Sequence, residues 1–182
     1  MKRPARWIAL SVAIVVVVLG VVLALNVGAD PAQDAKQSPF LGKQVPAFNL
    51  PQLTGGAISK QSIAGKSVII NFWNTWCVPC VQELPELRAF YAEHATDPDF
   101  VMIGIVRDQQ YSDDTVRAYV KKNGMDWTVA FDPGSQAALD FATRGQPETI
   151  AVSPQGVVAA SKYGPMSNAD LEKFLAAARN YG

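Results

Sequence analysis

Val68-Ile69-Ile70, followed by Phe72 and Trp73, make Ser67 to Trp73 an almost unbroken apolar run, and no other segment restricts the possible architectures as strongly. A strand with apolar side chains at consecutive positions presents them to both sides, so it belongs in the middle of a sheet covered on both faces. The flanking segments supply the covers. Val81, Leu84, Leu87, Arg88 and Tyr91 recur at helical spacing, which predicts a helix from Cys77 to about Ala95, kinked at Pro85. Phe100 to Val106 reads as a second buried strand, completing a β-α-β unit. Ser112 or Asp113 caps a helix with Val116, Tyr119 and Val120 inward, closed by Gly124. Trp127 to Phe131 is a third strand and Asp132-Pro133-Gly134 a turn. Ser135 to Thr143 is then a short helix with Leu139 and Ala142 on one side. Thr149 to Val152, a turn at Pro154-Gln155-Gly156, and Val157 to Ser161 form a hairpin. Asn168 to Asn180 carries Leu171, Phe174, Leu175 and Ala178 on one stripe. Upstream, Val45 to Leu53 and Ala57 to Ser59 flank Thr54-Gly55-Gly56 as a short edge hairpin. The sum is a mixed α/β sheet with helices on both faces.

At 182 residues and 49% hydrophobic, the chain is long enough for one well-buried domain plus an extra segment. Sixteen basic and sixteen acidic residues cancel, so no global field recruits nucleic acid, and a nucleic-acid partner is not expected. The extra segment is N-terminal. Lys2, Arg3 and Arg6 precede an uncharged stretch from Trp7 to Ala29 that is long enough to span a bilayer. Residues 1–29 therefore read as a basic cytoplasmic end and a single transmembrane anchor, which places the rest of the chain on the outer face of the cell membrane. A cleaved signal peptide ending near Val27-Gly28-Ala29 is the alternative. Residues 30–42 are polar and read as a flexible spacer, and 43–182 as the folded domain.

Chemistry concentrates in Trp76-Cys77-Val78-Pro79-Cys80, which holds the only two cysteines. A bridge that closes so short a loop constrains the unfolded chain little, so the pair reads as chemical rather than structural. Cys77 at a helix start is favoured as a thiolate, the species that attacks disulfides, and Cys80 one turn on can resolve the mixed disulfide. No cofactor and no metal enter this reading.

With these residues in place the chain resembles the membrane-anchored thioredoxin-like proteins of the TlpA, ResA and CcmG type, over roughly Gly42 to Tyr181. The resemblance rests on Val45-Pro46-Ala47-Phe48-Asn49-Leu50, Gly65-Lys66, Asn71 through Cys80, Glu83 with Pro85, and Gly145-Gln146-Pro147-Glu148-Thr149. It implies a thioredoxin fold with an N-terminal β-hairpin and an inserted helix–strand pair, and a cis bond before Pro147 facing the dithiol. A cis-Pro loop leaves neighbouring backbone groups open to an extended partner segment. The resemblance also implies that Glu83 tunes the cysteines and that Glu148 takes part in substrate recognition or tuning. The structural alternatives are a solvated helix-face Glu83 and a solvated strand end at Glu148. Two positions depart from the pattern: Asn74 replaces a small residue, and Arg144 stands where one branch has an aromatic. Arg144 reads as exposed, or as a positive charge opposing Glu83. Trp76 reads as a rim residue against which a partner packs.

Reductants and oxidants share this fold, so direction follows from what stabilises the reduced thiolate. Val78 and Pro79 offer neither charge nor side-chain donor, and Glu83 adds negative charge, so the disulfide is favoured and the protein reads as a reductant. Family precedent points to apocytochrome c in cytochrome c biogenesis, with a membrane thiol-transfer protein as electron donor. An oxidant or isomerase for exported proteins is the rival enzyme. A copper carrier through Cys77 and Cys80 is the rival from another class, but Met1, Met102, Met125 and Met166 form no cluster, and His94, far along the helix, reads as a capping or solvated side chain. Peroxidase chemistry lacks its Thr-x-x-Cys setting at Trp76-Cys77.

Overall fold

The computed structural model describes residues 11–19, 21, 38–107 and 113–181. The chain divides into two units, Met1–Lys36 and Gln37–Gly182. In the first, residues 11–19 and 21 are helical, and the rest of the expected Trp7–Ala29 span lies outside the described residues. Among the described residues no helix is long and apolar enough to cross a membrane.

The second unit contains β1 (Asn49–Pro51), β2 (Ala57–Ser59), β3 (Ser67–Trp73), α1 (Val78–His94), β4 (Phe100–Arg107) and α2 (Asp113–Lys122), followed by β5 (Thr128–Asp132), α3 (Gln136–Asp140), β6 (Glu148–Val152), β7 (Val158–Tyr163) and α4 (Asn168–Arg179). β1 and β2 pair antiparallel as a separate hairpin. The main sheet has the order β5-β4-β3-β6-β7, with β3, β4 and β5 parallel and β6 and β7 antiparallel. β3 is buried along its whole length, as its apolar run requires.

Alternation along β3 sorts the core into two halves. Ile69 and Trp73 face the cluster that includes Leu84, Leu87 and Phe90 of α1, Val116 of α2, and Leu171 and Leu175 of α4. Val68, Ile70 and Phe72 face the other cluster, with Phe48, Leu50 and Ile58 of the hairpin region and Ala137, Ala138 and Phe141 at α3. Gly104 of β4 has no room for a side chain, since a Cβ there would stand 2.8 Å from Trp73 Nε1 and 3.0 Å from Trp127 Nε1.

Two expectations need correction. The short helix expected over Ser135–Thr143 is confined to Gln136–Asp140 and turned differently, with Ala137, Ala138 and Phe141 inward and Leu139 64% exposed. The buried Asp132 carboxylate fixes this, accepting the Ala137 and Ala138 N–H groups at 2.8 Å each, while Ala142 at φ 50° ends the helix. The spacer expected to reach Gly42 stops earlier. Ser38 is buried with its N–H on Ser161 Oγ at 2.9 Å, and Gly42 N donates to Val158 O at 2.9 Å, so β7 anchors this segment. Ser112, one of the two expected caps of α2, lies outside the described residues.

Candidate active site

β3 ends at Trp73, and Asn74, Thr75 and Trp76 lead in a turn to Cys77, which is the N-cap of α1. Asn74 shapes the turn. Its side-chain amide donates to the Arg107 carbonyl at the end of β4, its Oδ1 accepts Thr75 N at 2.9 Å, and its carbonyl accepts Cys77 N at 3.3 Å. The departure at position 74 is therefore a small buried clamp between β3, β4 and the dithiol, which spacing alone did not reveal.

Cys77 and Cys80 form a disulfide, and both are almost closed to solvent, at 4% and 5% exposure. Cys77 Sγ accepts the Cys80 N–H at 3.2 Å. Helix caps normally draw on the N–H of the second or third helical residue, but the second here is Pro79, which has none. Only one backbone donor of that pair remains to stabilise a Cys77 thiolate. Around the buried sulfurs, Trp76 is 46% exposed, and Val78 and Val81 are also exposed. They give the entrance an apolar rim.

Glu83 is 1% exposed and lies on the inner face of α1, which removes the reading of a solvated helix-face acid. Asn71, the amide within the apolar β3 run, donates to Glu83 Oε1 at 2.9 Å and to Thr149 Oγ1 at 3.0 Å. The Met166 N–H donates to Glu83 Oε2 at 2.9 Å. Burial pushes the Glu83 carboxyl up to about 7 against the pull of the Met166 and Asn71 hydrogen bonds and the Lys162 charge. A shift of that size corresponds to roughly 3 kcal/mol of lost hydration that those partners leave uncompensated. Asn71, Thr149 and Met166 were not foreseen as site residues. The sequence signal for Asn71 is an amide inside a strand buried on both faces.

The Gln146–Pro147 bond is cis, as the family resemblance implied. The register pairs Phe72 with Glu148, so Pro147 stands level with the Trp73 end of β3, the end of the sheet from which the dithiol turn departs. Not every backbone group here is open to a partner, because the Pro147 carbonyl accepts Gly164 N at 2.9 Å. Gln146 Nε2 is buried without a hydrogen-bond partner.

Glu148 is buried, not a solvated strand end. Its Oε2 accepts Arg144 N at 2.8 Å, and its Oε1 accepts Arg144 Nη2 at 3.1 Å. The Arg144 guanidinium lies 5.6 Å from the centre of the Tyr163 ring. Arg144 is thus half-buried and clasps the cis-Pro loop through Glu148, where exposure or opposition to Glu83 had been expected.

His94 lies at the far end of α1 from Cys77, about 25 Å along the helix axis. Its Nε2 meets Glu172 Oε1 at 2.7 Å, and its ring packs on Phe90 and Phe100. Glu93, His94 and Glu172 place three ligand-type atoms within 4.8 Å of one another, but the His94 nitrogen is already occupied by Glu172.

Known proteins agree with this geometry. The AhpC/TSA family profile matches residues 41–161. The thiol-disulfide oxidoreductase ResA of Halalkalibacterium halodurans is 27% identical over 175 residues, covering 96% of this chain and 95% of its own. The thioredoxin-like protein YneN of Bacillus subtilis is 31% identical over 134 residues, covering 74% of this chain and 78% of its own. A thiol:disulfide interchange protein of the thioredoxin family from Chlorobium tepidum has a solved structure that superposes with a TM-score of 0.65 at 26% identity, over 74% of this chain and 94% of that one. The mixed sheet is thus a thioredoxin-like fold, and the dithiol that of a thiol-disulfide oxidoreductase.

Proposed function

The chain belongs to the AhpC/TSA family, and on that premise we propose that this thiol-disulfide oxidoreductase is an extracytoplasmic reductant, held at the membrane by its N-terminal segment, whose substrate is the apocytochrome c disulfide. The observation that carries the direction is the pairing of a donor-poor Cys77 cap with a buried carboxylate one turn from Cys80. Above pH 7 the ionised Glu83 opposes a thiolate nearby, and Pro79 withholds an N–H that would stabilise one. A destabilised dithiol gives up its electrons readily.

In this reading Cys77 attacks the partner disulfide, and one partner sulfur leaves as a thiolate that takes up a proton. Cys80, relieved of its proton with Glu83 as the nearby acceptor, then attacks Cys77 Sγ and releases the second partner thiol. Two electrons pass to the partner, and Cys77–Cys80 closes as the disulfide. Trp76 packs against the partner, and the Pro147 loop, clasped by Glu148, presents backbone to it. A membrane thiol-transfer protein then re-reduces the pair. The family precedent supports apocytochrome c as substrate, and the uncharged Trp7–Ala29 stretch supports the location.

A Cys80→Ser variant expressed in intact cells, unable to resolve, is expected to accumulate Cys77-linked apocytochromes. Capture of many unrelated exported proteins instead would favour the oxidant or isomerase. Capture confined to cytosolic proteins would remove the extracytoplasmic placement.

A further inference from the structure

Between β7 and α4 the chain passes as a strap through Gly164-Pro165-Met166-Ser167, and alternate N–H groups from Gly164 to Asn168, the first residue of α4, bind the cis-Pro loop and two residues of α1. Gly164 N donates to Pro147 O at 2.9 Å, Met166 N to Glu83 Oε2 at 2.9 Å, and Asn168 N to Glu86 Oε2 at 2.8 Å. Pro165 restricts the backbone between the first two contacts. Beyond the third, the Ser167–Asp170 capping box fixes the start of α4. Glu83 and Glu86 lie three residues apart on α1, on neighbouring turns, the first buried and the second exposed. The dithiol chemistry gives Glu86 no task.

We propose that Glu86 is a positioning residue for Glu83: by holding the Asn168 N–H it keeps the strap in register, and with it the Met166 N–H on the buried carboxylate. The inference rests on the reading of Glu83 as the proton-handling group beside the dithiol. The groups acting on Glu83 are known from each side. β3 offers Asn71, with Thr149 of β6 behind it. β7 offers Lys162, which is paired with Asp170 of α4 at 2.7 Å. On α1 itself, Cys80 stands three residues before Glu83 and the exposed Glu86 three residues after it. The buried Glu148 of β6 is engaged by Arg144.

Charge and anchoring act on Glu83 in opposite directions, which makes the proposal testable. Glu86 as a mere neighbouring anion raises the proton affinity of Glu83, so its removal lowers the Glu83 midpoint. Glu86 as an anchor does the reverse, since slackening the Met166 hydrogen bond leaves the carboxylate less stabilised and raises the midpoint. Glu86→Gln removes the charge and keeps an acceptor for Asn168, whereas Glu86→Ala removes both. Asn168→Pro removes the donor and leaves the charge. Position 168 is the first of its helix and follows an extended Ser167, where proline is tolerated.

The measurement is a carboxyl carbon NMR titration of Glu83 in the reduced full chain, assigned by the signal lost in Glu83→Gln, beside the pH profile of Cys77 alkylation. Glu86→Ala is expected to titrate about half a pH unit or more above Glu86→Gln, and Asn168→Pro above the parent protein by a similar amount. Equal midpoints for Glu86→Ala and Glu86→Gln, or a parental midpoint in Asn168→Pro, would overturn the proposal. Should Glu86→Ala fail to fold, Asn168→Pro decides alone. An alkylation profile in the parent protein that ignores the Glu83 midpoint would remove the role of Glu83 in the dithiol chemistry, and the NMR midpoints would still judge Glu86.

Discussion

A carboxyl group that loses its water at a helix–sheet interface holds its proton to higher pH unless its hydrogen bonds compensate, and at Glu83 they do so only in part. The consequence reaches stability. The unfolded chain releases this proton near 4.5 and the folded chain near 7, so between those values the folded state binds more protons and unfolding becomes easier as pH rises. Two further groups act outside that window: the Asp170 carboxyl is lowered chiefly by its Lys162 hydrogen bond and matters at acid pH, and the Tyr119 hydroxyl is raised by burial and matters at alkaline pH. Unfolding free energy by denaturant titration should therefore fall by up to about 3 kcal/mol from pH 5 to 8, and the slope should flatten in Glu83→Gln. An unchanged slope in that variant would assign the effect to another group. Sequence spacing placed Glu83 one turn beyond Cys80 but did not reveal its burial. The hydrogen bonds that define its setting come from Asn71 and from Met166, 83 residues further on, and helical spacing carries no record of either.

Periodicity located the elements well where a segment was long. β3, α1, β4 and α4 fall where their apolar patterns put them, because a seven-residue buried strand or a three-turn stripe admits few alternatives. α3 is one turn long, too short for a stripe to specify its face, and Asp132 sets it instead. That face matters, because Phe141 meets Phe72 edge-on at 5.5 Å and Phe48 at 5.8 Å, closing the core on the side of β3 away from α1. Phe141→Ala should cost about 3–5 kcal/mol in chemical unfolding. The dithiol is served by the opposite core cluster, so the reactivity of the folded variant should be retained. A loss below 1 kcal/mol would mean that α3 packs less tightly than these ring contacts indicate.

At the scale of the folded domain, β3 brings two parts of the site to one place: Cys77 caps α1, which carries Cys80 and Glu83, while the register with β6 aligns cis-Pro147 with the same end of the sheet. The motif, the strand before it and the later Gly-x-Pro-Glu-Thr segment made that assembly legible from sequence. The clasp of Arg144 on Glu148 and the strap over Glu83 were not, since both arise only when β6, β7 and α4 dock. Direction is the claim on which the functional reading stands, and the equilibrium reduction potential of Cys77–Cys80 at pH 7, measured against a dithiol buffer, tests it most directly. A value at or below about −250 mV, close to thioredoxin at about −270 mV, is the expected result; a value near the −120 mV or so of a strong periplasmic oxidant would contradict it.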